Sequence, residues 1–256
     1  MPSHPTTFEL CQSFLDRFER FAEQNHDAFR DAVPFPNAVA DKLFDERLIE
    51  RILREYPERN AEIWQRYDDS DIQIKVRTKW ESDSDIPDDI REVVRTLNGG
   101  RFLRALSELT GIDNLIADPY LTGGGLSSVF RGGMLDIHCD GNWHDAMAVH
   151  RRLNVILYLN PGWQESWGGG LEFWDRKLEG CRKKIMPLNN RMVVFVTNDY
   201  TFHGHPAPLN CPEHESRRSL ILYYYTSRPR AADEVAVTDP HRALWRNRGQ
   251  VTGSRK

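Results

Sequence analysis

The sequence is poor in paired cysteines. Its four cysteines, Cys11, Cys139, Cys181 and Cys211, stand far apart. No CxxC spacing exists, which argues against a zinc ribbon or a thioredoxin-like motif. Scattered thiols are expected to be reduced, as in a cytoplasm. Basic excess is also missing. The net charge of −4 at pH 7 gives no support to nucleic-acid binding, which usually shows as surplus lysine and arginine. No apolar run approaches the ~20 residues needed to span a bilayer, so no membrane partner is expected. The start, Met1-Pro2-Ser3-His4-Pro5, lacks a basic region leading into an apolar stretch, and no secretory signal is expected. Repeats and low-complexity tracts are lacking too. What is there is ordinary for a globular chain of 256 residues, with 39% hydrophobic and 28% charged residues. That length suffices for a full core.

The first half reads as helical. Leu10, Phe14, Phe18 and Phe21 recur at helical spacing. A second helix is predicted over 41–56, where Leu43, Phe44, Leu48, Ile49, Ile52 and Leu53 make one stripe and Pro57 ends the run. The acidic stretch 81–89 reads as a solvated loop. Ile90, Val93, Val94 and Leu97 resume the spacing, Phe102, Leu103, Leu106 and Leu109 continue it, and Gly111 is the stop. Beyond Gly111 short β-type runs alternate with Gly/Pro/Asn turns: 134–140, 153–159, 171–174, 191–197 and 219–225. No parallel βαβ rhythm appears, so an antiparallel sandwich or barrel is expected. The expected fold class is α+β. A helical region over 1–116 packs on a β-roll over 117–228, followed by a polar, solvated extension over 229–256.

The most informative segment is Asp136-Ile137-His138-Cys139-Asp140. In a strand, side chains alternate faces, so His138 and Asp140 share one face and Cys139 takes the other. An imidazole and a carboxylate so placed can hold one metal ion, with a third ligand from another strand. His203 and His205, in Thr201-Phe202-His203-Gly204-His205-Pro206, both qualify, and spacing does not choose between them. Two histidines and one carboxylate on one face form the set associated with non-haem Fe(II) oxygenases. Downstream, one arginine of the Arg217-Arg218 pair should face inward. An Arg-x-Ser pair such as Arg217 and Ser219 offers a guanidinium fork and a hydroxyl to a carboxylate. Asn154 and Tyr158 put polar groups on one face of an apolar run, where they need partners or a ligand.

Together, the glycines before His138-x-Asp140, the run 152–160 (RLNVILYLN), Gly168-Gly169-Gly170-Leu171 and the ending His203…Arg217-x-Ser219 resemble prolyl-4-hydroxylase-like 2-oxoglutarate/Fe(II)-dependent dioxygenases over 132–225. The resemblance implies a double-stranded β-helix, or jelly roll, buttressed by N-terminal helices. It implies Fe(II) on His138, Asp140 and His203. It implies 2-oxoglutarate anchored by Arg217 with Ser219, Tyr158, Asn154 and Leu171 around it, with O₂ as co-reactant and ascorbate as an optional reductant. There are departures. Phe130 stands where the family often carries a tyrosine near the oxoglutarate, and 206–215 reads as an inserted loop. The retained Asp140 argues against a related halogenase.

The implied activity is hydroxylation of an unactivated C–H bond. The substrate is expected to be a small molecule such as an amino acid, sugar or metabolite intermediate, with a peptidyl proline as the alternative. Trp143, His144, Asp145 and His205 are the candidate substrate contacts, because loops at the mouth of a jelly roll commonly carry function. Trp163, Glu165 and Trp167 lie in the next loop, where anchoring is an equal reading. A cupin-like metal isomerase or hydrolase would have no reason to place Arg217-x-Ser219 inside, and a non-enzymatic binding module need not keep all four of His138, Asp140, His203 and Arg217.

Overall fold

The computed structural model describes residues 5–250. The outermost parts of the two terminal regions, with Arg255 and Lys256, lie outside the described residues. The first helix, α1 (Thr7–Arg30), is capped by Thr6, whose hydroxyl accepts from the Glu9 backbone while Glu9 reaches back to the Thr6 amide. Such a reciprocal cap satisfies donors that a helix start otherwise leaves unpaired. Its face Leu10, Phe14, Phe18, Ala22 and Phe29 is buried. Phe14 stacks on Phe44 at a centroid distance of 3.9 Å.

The order continues with β1 (Asn37–Asp41), α2 (Glu46–Glu55), β2 (Trp64–Asp69), β3 (Gln73–Thr78), α3 (Asp88–Asn98) and α4 (Gly100–Thr110). Then come β4 (Ile116–Ala117), β5 (Gly125–Phe130), β6 (Met134–Cys139), β7 (Trp143–His144), β8 (Val149–Tyr158), β9 (Leu171–Trp174) and β10 (Cys181–Ile185). The chain closes with β11 (Arg191–Val196), β12 (His203–His205), β13 (Ser216–Thr226) and β14 (Leu244–Trp245). α4 stops at Gly111, whose φ is 68°, as read from the sequence.

The pairing order β1-β11-β8-β13-β5-β3-β6-β12-β9-β10 is antiparallel throughout. It describes two sheets of a jelly roll, β11-β8-β13-β5 and β6-β12-β9-β10, with β3 joining them along one edge. Each strand of the first sheet has two destinations, set by period-2 alternation. Leu153, Val155, Leu157, Leu220, Leu222 and Tyr224 face the helices in the larger core. Ile156, Tyr158, Val193, Phe195 and Ile221 face the second sheet, against Leu171 and Phe173.

Three expectations need correction. The predicted helix over 41–56 is helical only from Glu46, capped by Asp45. Asn37–Asp41 instead pairs with β11, while Leu43 and Phe44 are buried from the intervening loop. The region 1–116 is not all helical, because β1, β2 and β3 lie in it. Alternation in Gln73-Ile74-Lys75-Val76-Arg77-Thr78 carried that signal. Third, the tail is not a solvated extension over its described part. Asp199, fully buried, accepts from Arg230 at 2.7 Å and from the amides of Ala236 and Val237. His241 contacts the same carboxylate at 3.1 Å. This acid gathers the tail, and β14 then adds to β6 with Trp245 opposite His138.

Burial pushes the Asp199 carboxyl up, but hydrogen bonds from His241 and the two amides outweigh it and hold it below its usual value. Its contribution to stability is therefore present above the ordinary carboxylate range and lost as pH falls through the folded-state value. Asp199→Ala should leave Arg230 buried and unpaired, at a cost of about 3–5 kcal/mol. Urea melts at pH 7 should show that difference and limited proteolysis should release the tail. In the same melts the gap to the parent protein should narrow only at pH below the ordinary aspartate range.

Candidate metal centre

β6 and β12 pair so that His203 lies directly across from His138. The imidazole centroids are 4.5 Å apart. Asp140 follows the end of β6 and turns back between them. Its Oδ1 is 3.6 Å from His138 Nε2 and its Oδ2 is 3.7 Å from His203 Nε2. The three donor atoms lie within 4.8 Å of one another, and all three residues are buried. Each ring is oriented by its far nitrogen. His138 Nδ1 donates to the Asp136 carbonyl and His203 Nδ1 to the Thr201 carbonyl, each at 2.9 Å. That fixes the tautomer and leaves both Nε2 lone pairs aimed at the same point, as metal-ligating histidines are oriented. Of the two histidines that spacing left open, His203 is the one brought into this group.

Burial drives the Asp140 carboxyl up, but the neighbouring His203 and His138 rings and the Arg151 guanidinium together hold it well below the carboxylate range. Burial and the neighbouring His138 bring His203 down to about 4, so its ring is neutral near pH 7. Asn154 donates to Asp140 Oδ2 at 3.3 Å, so it braces this carboxylate rather than reaching Arg217.

A second polar cluster forms around Arg217. Arg217 is buried, with Nε donating to the Gly169 carbonyl at 2.7 Å and Nη2 to the Tyr158 hydroxyl at 3.0 Å. Ser219 sits across from Tyr158, and Leu171 is buried on the same inner face. Gly169 is required here. Its φ is +73°, and a Cβ would come within 2.7 Å of Leu209 and 3.0 Å of Arg217 Cδ. Arg218 points the other way, toward Ser216 and the face of Tyr56. Phe130 is also on that outer side, under Arg59, and does not take the place near the oxoglutarate that the resemblance implies for a tyrosine. Val129, paired with Arg217, holds the inward position.

His205 is buried with neither ring nitrogen hydrogen-bonded. Burial, and then the charges of Arg217 and Lys75, hold it neutral. It stands on β12 two residues beyond His203, on the same face of the strand. His144 is also buried, but Nε2 donates to Asp118 at 3.2 Å and Nδ1 accepts from the Met147 amide at 3.2 Å. Both nitrogens are thus occupied away from the cavity, which argues for an anchoring role. Trp143 packs edge-on against His150 and Asp145 is exposed. Trp163 and Trp167 pack on each other beside Leu209 and Cys211 of the loop 206–215, and Glu165 is exposed.

Sequence reasoning passed over four groups near the cluster. Trp245 stacks on His138 with centroids 4.5 Å apart. Arg151 reaches Asp140 at 3.7 Å and lies 3.8 Å over the Tyr223 ring. Arg77 and Lys75 project from the inner side of β3. Burial, with Arg77 and Arg217 nearby, pulls the Lys75 ammonium down to about 8 against the opposing pull of Asp140.

Residues 125–225 match the family profile of the 2OG-Fe(II) oxygenase superfamily. A stretch of 86 residues is 31% identical to prolyl 3-hydroxylase OGFOD1 of Mus musculus, covering 32% of this chain. The chain spans 15% of that relative's length. The fold is similar to that of a Trichoplax adhaerens prolyl hydroxylase solved with a hypoxia inducible factor peptide, with a TM-score of 0.60 at 16% identity, over 82% of this chain and 91% of that one. A prolyl 4-hydroxylase from Phytophthora capsici gives 0.54 at 17% identity, over 91% and 70%.

Asp140→Ala should abolish binding of one divalent ion, read by calorimetry with Mn(II). His205→Gln should retain it. Loss of binding in both variants would show that the wrong histidine has been placed in the ligand set.

Proposed function

We propose, for a chain whose residues 125–225 match the profile of the 2OG-Fe(II) oxygenase superfamily, that it is a 2-oxoglutarate- and Fe(II)-dependent hydroxylase acting on a C–H bond of a small molecule. The observation that carries this reading is a single one. His138, Asp140 and His203 converge inside the barrel, and a buried Arg217, bonded to Tyr158, faces the same interior. The residues fit both absent groups. Two Nε2 atoms and a carboxylate suit Fe(II), whose facial triad leaves positions open. Arg217 has no acidic partner among the described residues, and a buried guanidinium calls for one. A dicarboxylate reaching from the metal toward Arg217 supplies it, and would run past His205, whose unpaired N–H is free to donate to it.

When bound, the iron and oxoglutarate supply the oxidising power: decarboxylation to succinate and CO₂ accompanies transfer of one O₂ oxygen into C–H. The protein's own residues do the rest. Arg217 fixes the far carboxylate through its guanidinium fork, with Tyr158 steering the guanidinium and Ser219 beside it. Asn154 holds Asp140 in its rotamer. The apolar inner wall, Ile156, Leu171, Phe173 and Phe195, excludes water around the cosubstrate. Trp245 covers the outer face of His138.

A peptidyl proline is the second reading, favoured by the similarity to prolyl hydroxylases. No helix of the described residues is long and apolar enough to cross a membrane. Free thiols at Cys11, Cys139, Cys181 and Cys211 support a reducing, cytoplasmic setting.

Anaerobic addition of Fe(II) and oxoglutarate should produce a weak visible absorption band that O₂ discharges with formation of succinate. A protein that binds Zn(II) and gives no band would be a metal hydrolase or isomerase instead. Arg217→Ala should weaken oxoglutarate binding by about 2–5 kcal/mol, the range for removing one partner of a buried charge pair, with Mn(II) affinity nearly unchanged. Equal loss of both would count against Arg217 as the anchor.

A further inference from the structure

The barrel interior holds further cations besides Arg217. Lys75 and Arg77 share the inner face of β3, and Arg151 comes from β8. The guanidinium ends of Arg77 and Arg151 stand beside one glycine: a Cβ on Gly123 would be 3.5 Å from Arg77 Nη1 and 3.9 Å from Arg151 Nη2. Their protein partners are nearly all neutral. Arg77 donates to the Tyr67 hydroxyl at 2.6 Å and to Gln65 at 3.2 Å. Lys75 lies 5.8 Å over the Tyr67 ring. Arg151 lies over Tyr223, and its buried Nε has no hydrogen-bond partner. Among the described residues no carboxylate pairs with Lys75 or Arg77. The one that Arg151 meets is Asp140, at 3.7 Å.

Asp140 is a proposed metal ligand, so its charge is committed to the ion. Three cations are then left around the cluster with aromatic faces and amide oxygens but no anion. Buried or half-buried cations so arranged are unfavourable alone and become favourable when an anion enters. The side chain of Arg151 is 11% exposed, so the group that meets it must come in from the cavity. Resting on the oxygenase reading above, we propose that the substrate carries a free carboxylate held by Lys75, Arg77 and Arg151 beside the metal centre. Because Arg151 is in contact with Asp140, the oxidised C–H lies only a few bonds from that carboxylate. The substrate class is thus a small organic acid, amino acids included. The interior of a peptide offers a proline no such group.

The test uses the full chain loaded with Mn(II) and oxoglutarate. The probes are the protein amino acids, short hydroxy acids and dicarboxylates, each beside its carboxamide, and a peptide with an internal proline. Binding is read by relaxation enhancement of probe protons, and the Fe(II) form is then assayed for substrate-dependent succinate and a product heavier by one oxygen. At least one acid should bind about tenfold or more tightly than its amide. Lys75→Met, Arg77→Gln and Arg151→Gln should each remove that preference, and Arg77→Gln, whose partners are Tyr67 and Gln65, should do so with oxoglutarate affinity as in the parent. Equal binding of acid and amide, preference for the prolyl peptide, or no bound acid at all would overturn the proposal while leaving the oxygenase reading intact. Failure of Mn(II) and oxoglutarate to bind would overturn that reading first.

Discussion

The register between β6 and β12 is the constraint on which the centre depends. It puts His138 and His203 face to face and brings the chain after β6 back toward both rings. The strands approach closely at Gly204, where a Cβ would be 2.6 Å from the Asp136 carbonyl oxygen. That carbonyl belongs to the residue whose oxygen orients His138. A side chain at Gly204 would push the strands apart and disturb the ring it orients. Aromatic packing holds the pair from both sides, with Phe195 edge-on to His203 and Trp245 stacked on His138.

Two rigid layers support this register. The outer face of β5, β8, β11 and β13 is sealed by the helices through one continuous apolar core. Groups carried on such strands are placed more precisely than groups on loops. The barrel interior is divided by charge. Asp140 meets Arg151 at 3.7 Å, while among the described residues Arg217, Lys75 and Arg77 have no carboxylate partner. Arg217 is satisfied by a hydroxyl and a carbonyl, neutral acceptors that orient it without cancelling its charge. This leaves one cationic end for a dicarboxylate and another for a second anion.

The described tail completes the enclosure. Asp199 binds it through four groups drawn from Arg230, Ala236, Val237 and His241. A polar composition suggested solvent, yet Arg230, His241 and Arg246 pair with the buried acids Asp199 and Asp136. Composition reports how many charges a segment carries and says nothing of which are paired.

From sequence alone, local periodicity placed α1, α3, α4 and the five main β-runs, because 3.6- and 2-residue repeats are properties of adjacent residues. The shared face of His138 and Asp140 followed from the same alternation. Tertiary structure decided what adjacency does not encode. It separated His203 from His205, which have the same parity but different cross-strand neighbours, and turned Arg217 inward with Arg218 outward. It moved Phe130 to the outer surface and tied His144 to Asp118. It also gathered Lys75, Arg77 and Arg151, which no local pattern links, since strands distant in sequence meet only when the sheet closes.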